Sequence, residues 1–197
     1  MTETVTLALS ELRSLITKAS RGAGLSWGLA EEAGWAAEWL ARRGMPAADW
    51  ATIWMAARID GATSSVEVGV QLADELVNGV ALEGRALPDG LSTPGYLLPF
   101  LHRIARDRAS ITIRSTSGHV VSVSSEGQVA FGPFWAPQSC CWTLSRGTSS
   151  PPKLGIATRP SVSRSVLECL DGLALLTTVP QSTSSRLDAG SPTGDND

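Results

Sequence analysis

The spacing of apolar residues changes period near residue 110, and that switch limits what this chain can fold into. Upstream, apolar residues recur every three or four positions, as on one face of a helix; downstream, in SITIRSTSGHVVSVSSEGQVAFG, β-branched residues alternate with polar ones. Helices grouped first and strands grouped later make an α+β protein rather than an alternating α/β one. The expected architecture is an N-terminal layer of several short helices, then a small antiparallel β-meander, a C-terminal helix and a polar tail. With 197 residues, one core suffices. Residues 1–180 are expected to form a single globular domain and residues 181–197 a polar tail, which docks if charged anchors hold it.

Capping signals divide the helical half. Ser10 is the expected N-cap of a first helix that turns Leu12, Leu15, Ile16 and Ala19 to one side and stops at Gly22 and Gly24. Ser26 starts a second helix that ends before Gly44. Pro46 opens a third, with Trp50, Ile53, Trp54 and Ala57 inward, ending at Gly61. Val68, Leu72, Leu76 and Val77 mark a fourth, and YLLPFLHRIARDRAS a fifth that starts at or bends at Pro99. In the meander, Thr112, Arg114, Ser122 and Ser124 are the polar partners, which suggests a sheet face meeting water or a ligand. CCWTL reads as a strand with a buried thiol, and the proline- and serine-rich stretch from Gly147 to Arg164 as an exposed loop with a short strand at LGIAT. The helix RSVLECLDGLALL, carrying Val166, Leu167, Leu170 and Leu173, returns to the core.

The second helix carries the candidate chemistry. Leu29, Ala33, Ala36 and Leu40 share one face, while Ala30, Gly34, Ala37 and Ala41 form a stripe of small residues that lets another backbone come close. Trp27, Trp35 and Trp39 fall on the remaining side with Glu31 and Glu38. Glu38 has Arg42 four residues on, the favourable order for a helical ion pair. Glu31 and Glu32 have no such partner. An acid among tryptophans finds a cation elsewhere or has a raised pKa, and a raised pKa suits a general acid or base. Arg21 is the nearest candidate cation, and the simpler reading is that it pairs with one of the acids to fix the helix hairpin. His102 is a weaker candidate contact, since Arg103, Arg106 and Arg108 around it would keep it neutral. His119 sits in an expected turn.

Several functions are disfavoured by composition. A net charge of −3 supplies no cluster of cations for nucleic acid, and no apolar run approaches the ~20 residues that span a bilayer. The start, MTETVTLALSELRSL, lacks the basic and apolar regions of a secretory signal, so a cytoplasmic location is expected. Cys140, Cys141 and Cys169, with His102 and His119, do not offer zinc-ligand spacing, and the acids of GDND lack a calcium-loop pattern. No phosphate loop follows from RGAG, which lacks the preceding strand and the Lys-Ser/Thr ending. No metal and no cofactor is therefore expected.

Two segments, RGAGLSWGLAEEAGWAAEWLARRG near the start and VPQSTSSRLDAGSPTGDND at the end, resemble the bacterial family catalogued as domain of unknown function 3726. In the tail, Ser185, Arg186, Ala189, Gly190 and Asp195 to Asp197 fit, whereas Asp188, Ser191 and Pro192 depart from the family's small Ala-Gly run. The resemblance implies no activity. It implies that the tail belongs to the domain's pattern, with Arg186 and the terminal aspartates as its anchors, crossing back toward Arg21 or an arginine of a neighbouring subunit.

Two functions follow as expectations. One is a small-molecule-binding protein or enzyme of bacterial metabolism, with Arg21 and Arg186 as anion contacts, Trp27 as a wall, Glu31 or Glu32 as a buried proton carrier, and the tail as a lid. The other is a non-catalytic subunit or oligomerisation partner of a metabolic enzyme, burying tryptophans and the small-residue stripe against another chain. Interface cores favour tryptophan and arginine over lysine, and the chain has seven tryptophans and only two lysines.

Overall fold

Glycine positions in a computed structural model of the chain explain how its helices stack. The structure describes residues 3–78, 81–105, 110–116, 118, 120–131, 141–147 and 159–177. A short strand β1 (Thr4–Thr6) leads into helices α1 (Leu9–Gly22), α2 (Trp27–Ala41), α3 (Ala47–Ile59) and α4 (Ser65–Val77). Strand β2 (Arg85–Ala86) and a 3-10 turn (Pro94–Leu97) precede helix α5 (Leu98–Ala105). Strands β3 (Ser110–Ser115), β4 (Val120–Ser124), β5 (Val129–Phe131), β6 (Trp142–Arg146) and β7 (Ser161–Ser163) follow, and helix α6 (Arg164–Leu175) closes the order. This is the α+β architecture that the change of period implies.

The small residues of α2 act inside the chain. A Cβ on Gly34 would lie 2.1 Å from Thr17 Oγ1 and 2.8 Å from the Arg13 carbonyl oxygen, so α1 lies directly against this position. Ala30, Ala33, Ala37 and Ala41 are buried beside it. On the other side of α1 the helix α6 is equally close, since a Cβ on Gly22 would overlap the Leu173 carbonyl. The core then runs from Leu12 and Ile16 through Trp54, Tyr96 and Phe100 to Ile111, Val121 and Leu170. Tyr96 anchors the loop before α5: its hydroxyl donates to the Ala47 carbonyl at 2.8 Å, and complete burial pushes its pKa up.

The meander is part of a larger sheet. β3, β4 and β5 pair antiparallel in sequence, and β6 and β2 extend the sheet on the other side of β3, giving the order β2-β6-β3-β4-β5. Ile111, Ile113, Val121, Val123, Val129 and Leu144 are its buried apolar residues among those described. The polar partners do not meet water as the alternation suggested. Thr112, Ser122 and Ser124 are buried, with Thr112 and Ser122 hydroxyls hydrogen-bonded at 2.8 Å across the ladder, and Arg114 alone of the four is exposed. Serine and threonine are small enough to be covered once their hydroxyls pair with one another.

Some boundaries differ from the sequence reading. The N-cap of α1 is Ala8, not Ser10, because the Glu11 carboxylate reaches back to accept the Ala8 N–H at 2.6 Å. Pro46 is the N-cap of α3 rather than its first helical residue, and Ile53 is 41% exposed rather than inward. Cys141 and Cys169 are exposed, not buried, and the Cys141 thiol donates to Asp89. The strand proposed at LGIAT, His119, Arg106, Arg108 and Cys140 lie outside the described residues, as does the whole tail.

Strands β1 and β7 form a separate two-stranded sheet that ties the start of the chain to α6, with Val5 opposite Val162. Arg164 clamps Glu3 with two hydrogen bonds of 2.7 and 2.6 Å, which holds the Glu3 carboxyl below its usual value of 4.5 and raises the Arg164 guanidinium. A carboxyl with a lowered folded pKa adds stability that is present above the unfolded value and disappears as pH falls through the folded one. The stability gap between the native chain and Glu3→Gln should therefore be full above pH 4.5, close as pH falls further, and shrink in high salt, measured by urea unfolding at each pH.

Packing at Gly34 makes a second prediction. Gly34→Ala should destabilise by about 1–3 kcal/mol, because the methyl must displace backbone. Gly172→Ala in α6, where nothing lies within 4 Å of the added methyl, should instead stabilise by up to about 1 kcal/mol. Urea unfolding of the two variants should thus give opposite signs.

Candidate functional site

The turn between α1 and α2 is built by a glycine-ended helix. Gly24, at φ +88°, reverses the chain, its N–H bonding to the Arg21 carbonyl at 2.9 Å and that of Leu25 to Ser20 at 3.0 Å. Leu25 plugs into the core, fully buried. Ser26 then caps α2, its hydroxyl accepting the Leu29 N–H at 3.4 Å. No acidic residue occupies the first turn of α2, so its exposed N–H groups and dipole keep their positive character.

Two arginines converge on this turn. Arg21 Nη1 donates to the Leu25 carbonyl, and Arg58 Nη2 of α3 donates to the Gly24 carbonyl at 3.5 Å. Arg58 also pairs with Glu67 at 3.3 Å. In both arginines the buried Nε makes no hydrogen bond. The Arg21 guanidinium lies 4.9 Å from the ring centroid of Trp27, which is 61% exposed. A flat apolar ring facing solvent, two cations and a helix N-terminus thus share one end of the helical layer.

The two acids part company. Glu31 is exposed and stands four residues after Trp27, on the same side of the helix. Glu32 faces the other way and is held by Arg103 of α5 through hydrogen bonds of 3.3 and 2.9 Å. Arg103 in turn lies over the Trp35 ring at 4.1 Å, and Trp35 meets Phe100 edge-on at 5.6 Å. The acids are therefore not a buried pair, and Arg21 pairs with neither. Glu32 does find a cation elsewhere in the fold, 71 residues away, which no local spacing could reveal.

His102 belongs to a different cluster. Its Nδ1 lies 3.2 Å from the Ser124 carbonyl oxygen and its ring packs on Trp39 at 5.4 Å. Arg43 lies over Trp39 at 3.5 Å and donates to the Gly127 carbonyl at 2.8 Å, joining α2 to the β4–β5 turn. Burial, with Arg42 adding its charge, pushes the Arg43 pKa down to about 10. Trp39 is twelve residues beyond Trp27, about 18 Å along the helix, so His102 is remote from Arg21. Arg186 lies outside the described residues. Among the described residues no three His, Cys, Asp or Glu side chains gather to hold a metal ion, and no helix is long and apolar enough to cross a membrane.

Residues 7–61 match the family described as "Protein of unknown function (DUF3726)". The DUF3726 segment begins just before α1 and ends at the glycine after α3, so it contains Arg21, Trp27, Glu31 and Arg58 and the whole α1–α2 turn. It ends before Arg103, His102 and the tail, and thus covers the first of the two segments that resembled this family but not the second. No curated protein and no solved structure matches the chain.

The partly exposed Glu32–Arg103 pair is a surface clamp, so Glu32→Gln should cost no more than about 1 kcal/mol. A larger loss in urea unfolding would give this pair a greater part in holding α5 to α2.

Proposed function

We propose that this chain is a cytoplasmic small-molecule-binding protein of bacterial metabolism that takes a flat ligand bearing a carboxylate or phosphate at the α1–α2 turn. Arg21 anchors the anion, assisted by Arg58 and the N–H groups of α2. Trp27 stacks on the planar part. Glu31, beside Trp27 and in water, accepts a hydrogen bond or a proton from the ligand.

The observation that carries this reading is the convergence of Arg21 and Arg58 on consecutive carbonyls at an acid-free helix N-terminus, beside an exposed tryptophan. Arginine with an aromatic face recognises planar anions through charge, geometry and stacking together. Glu32 leaves the site in this reading, because Arg103 holds it. The small-residue stripe of α2 is already covered by α1, which removes that support from the alternative of an assembly subunit.

A panel of aromatic and heteroaromatic carboxylates and phosphates, screened by thermal shift, should yield a ligand that raises the melting temperature. Arg21→Gln should weaken that ligand about ten- to a hundredfold, the loss of a charge-assisted bond. Trp27→Ala should weaken it about tenfold. Glu31→Gln separates binding from turnover: an enzyme would keep affinity and lose rate. A ligand whose affinity survives Arg21→Gln and Trp27→Ala would overturn the site.

A further inference from the structure

The first turn of α4 decides how much charge the α1–α2 turn can offer a ligand. Ser64 and Glu67 form a capping box: the Ser64 hydroxyl accepts the Glu67 N–H at 3.1 Å, and Glu67 Oε2 accepts the Ser64 N–H at 3.0 Å. The box fixes the Glu67 carboxylate, whose other oxygen lies 3.3 Å from Arg58 Nη2. About a quarter of each side chain is exposed, 26% for Arg58 and 28% for Glu67, so water screens this pair incompletely. Arg58 therefore reaches the turn with its charge already matched. Arg21 does not: its contacts among the described residues are the Leu25 carbonyl and the Trp27 ring, and neither is an anion.

The remaining charges nearby add no cation. Glu31 follows Trp27 by one turn, and Asp60 caps α3 two residues after Arg58; both are exposed. Lys18, one turn before Arg21, lines the cleft between α1 and α6 instead, and Glu32 is held by Arg103 on the other side of α2. The helix ends offset one another, since the N-termini of α2 and α4 are opposed by the C-termini of α1 and α3. We infer that Glu67 sets the class of ligand at this site: a planar aromatic carboxylate, which is a monoanion, in preference to a phosphate monoester, which is a dianion. The inference rests on the binding site proposed above and narrows it. A carboxylate brings one charge, which the Arg21 guanidinium matches in both charge and planar geometry. A phosphate monoester brings a second charge, which meets Glu67, Glu31 and Asp60 with no uncommitted cation left to receive it. Specificity here comes from repulsion of the wrong ligand as much as from attraction of the right one.

Matched probes that differ only in the anion test this on the full chain: benzoate with phenyl phosphate, and naphthoate with naphthyl phosphate. They are titrated by calorimetry in low salt at about pH 8, where a phosphate monoester carries close to two charges. The native chain should bind each carboxylate at least about tenfold tighter than its phosphate. Glu67→Gln should move that ratio about tenfold toward phosphate, because glutamine keeps the capping box while releasing the Arg58 charge. Arg58→Gln leaves Glu67 unmatched and should move the ratio the opposite way, a second test if Glu67→Gln fails to fold. Glu32→Gln removes a charge outside the site and should leave the ratio as it is. A native preference for phosphate, a ratio that neither Glu67→Gln nor Arg58→Gln moves, or an equal shift in Glu32→Gln would overturn the inference while leaving the site in place. Probes that do not bind the native chain, or that bind Arg21→Gln as tightly, would overturn the site itself and this inference with it.

Discussion

At Gly34 the backbone of α1 reaches α2 with no room for even a methyl group, and the positions of most other parts follow from that contact. Close approach fixes the direction of α1, so its last turn delivers Arg21 to the start of α2 beside Trp27. The same approach uses up the alanine side of α2 and turns Trp35 and Trp39 toward α5 and the sheet. A side chain at position 34 would wedge the pair apart and move every one of these groups together, because packed interiors shift as units rather than yield locally.

Cations and aromatic rings finish what the apolar core begins. Arg103 rests on Trp35 and holds Glu32; Arg43 rests on Trp39 and holds Gly127; His102 touches the same tryptophan and lies against Ser124. Each arrangement places a polar tip on an aromatic body and commits the tip to a group from a different element. The helical layer is thereby pinned to α5 and to the β4–β5 turn by contacts that are apolar on one side and hydrogen-bonded on the other.

The periods of the sequence made the helices, the meander and the packing role of Gly34 legible, since each rests on residues close together in the chain. The Glu38–Arg42 pair was legible for the same reason and is present at 2.7 Å. Contacts spanning long stretches were not. Arg103 for Glu32, Arg43 for the β4–β5 turn, and β1 for β7 depend on how layers stack, which periodicity does not encode. The alternation in β3 and β4 identified two faces correctly but not their surroundings, because a row of small hydroxyl residues reads the same whether it meets water or is buried with its hydroxyls paired. At the candidate site, Arg21 and Trp27 were visible from composition and spacing, whereas Arg58 entered only through the fold.

The pairing of β1 with β7 also sets an order of events as the chain is made. Thr6 must wait for Ser161, more than 150 positions later, before its strand has a neighbour, while α1 and α2 can close on each other as soon as both have left the ribosome. Until α6 arrives, the side of α1 at Gly22 that Leu173 covers lies open. The last of the described helices is thus the cover for the first, and a nascent chain halted before it would carry an open seam that invites chaperones or misassociation.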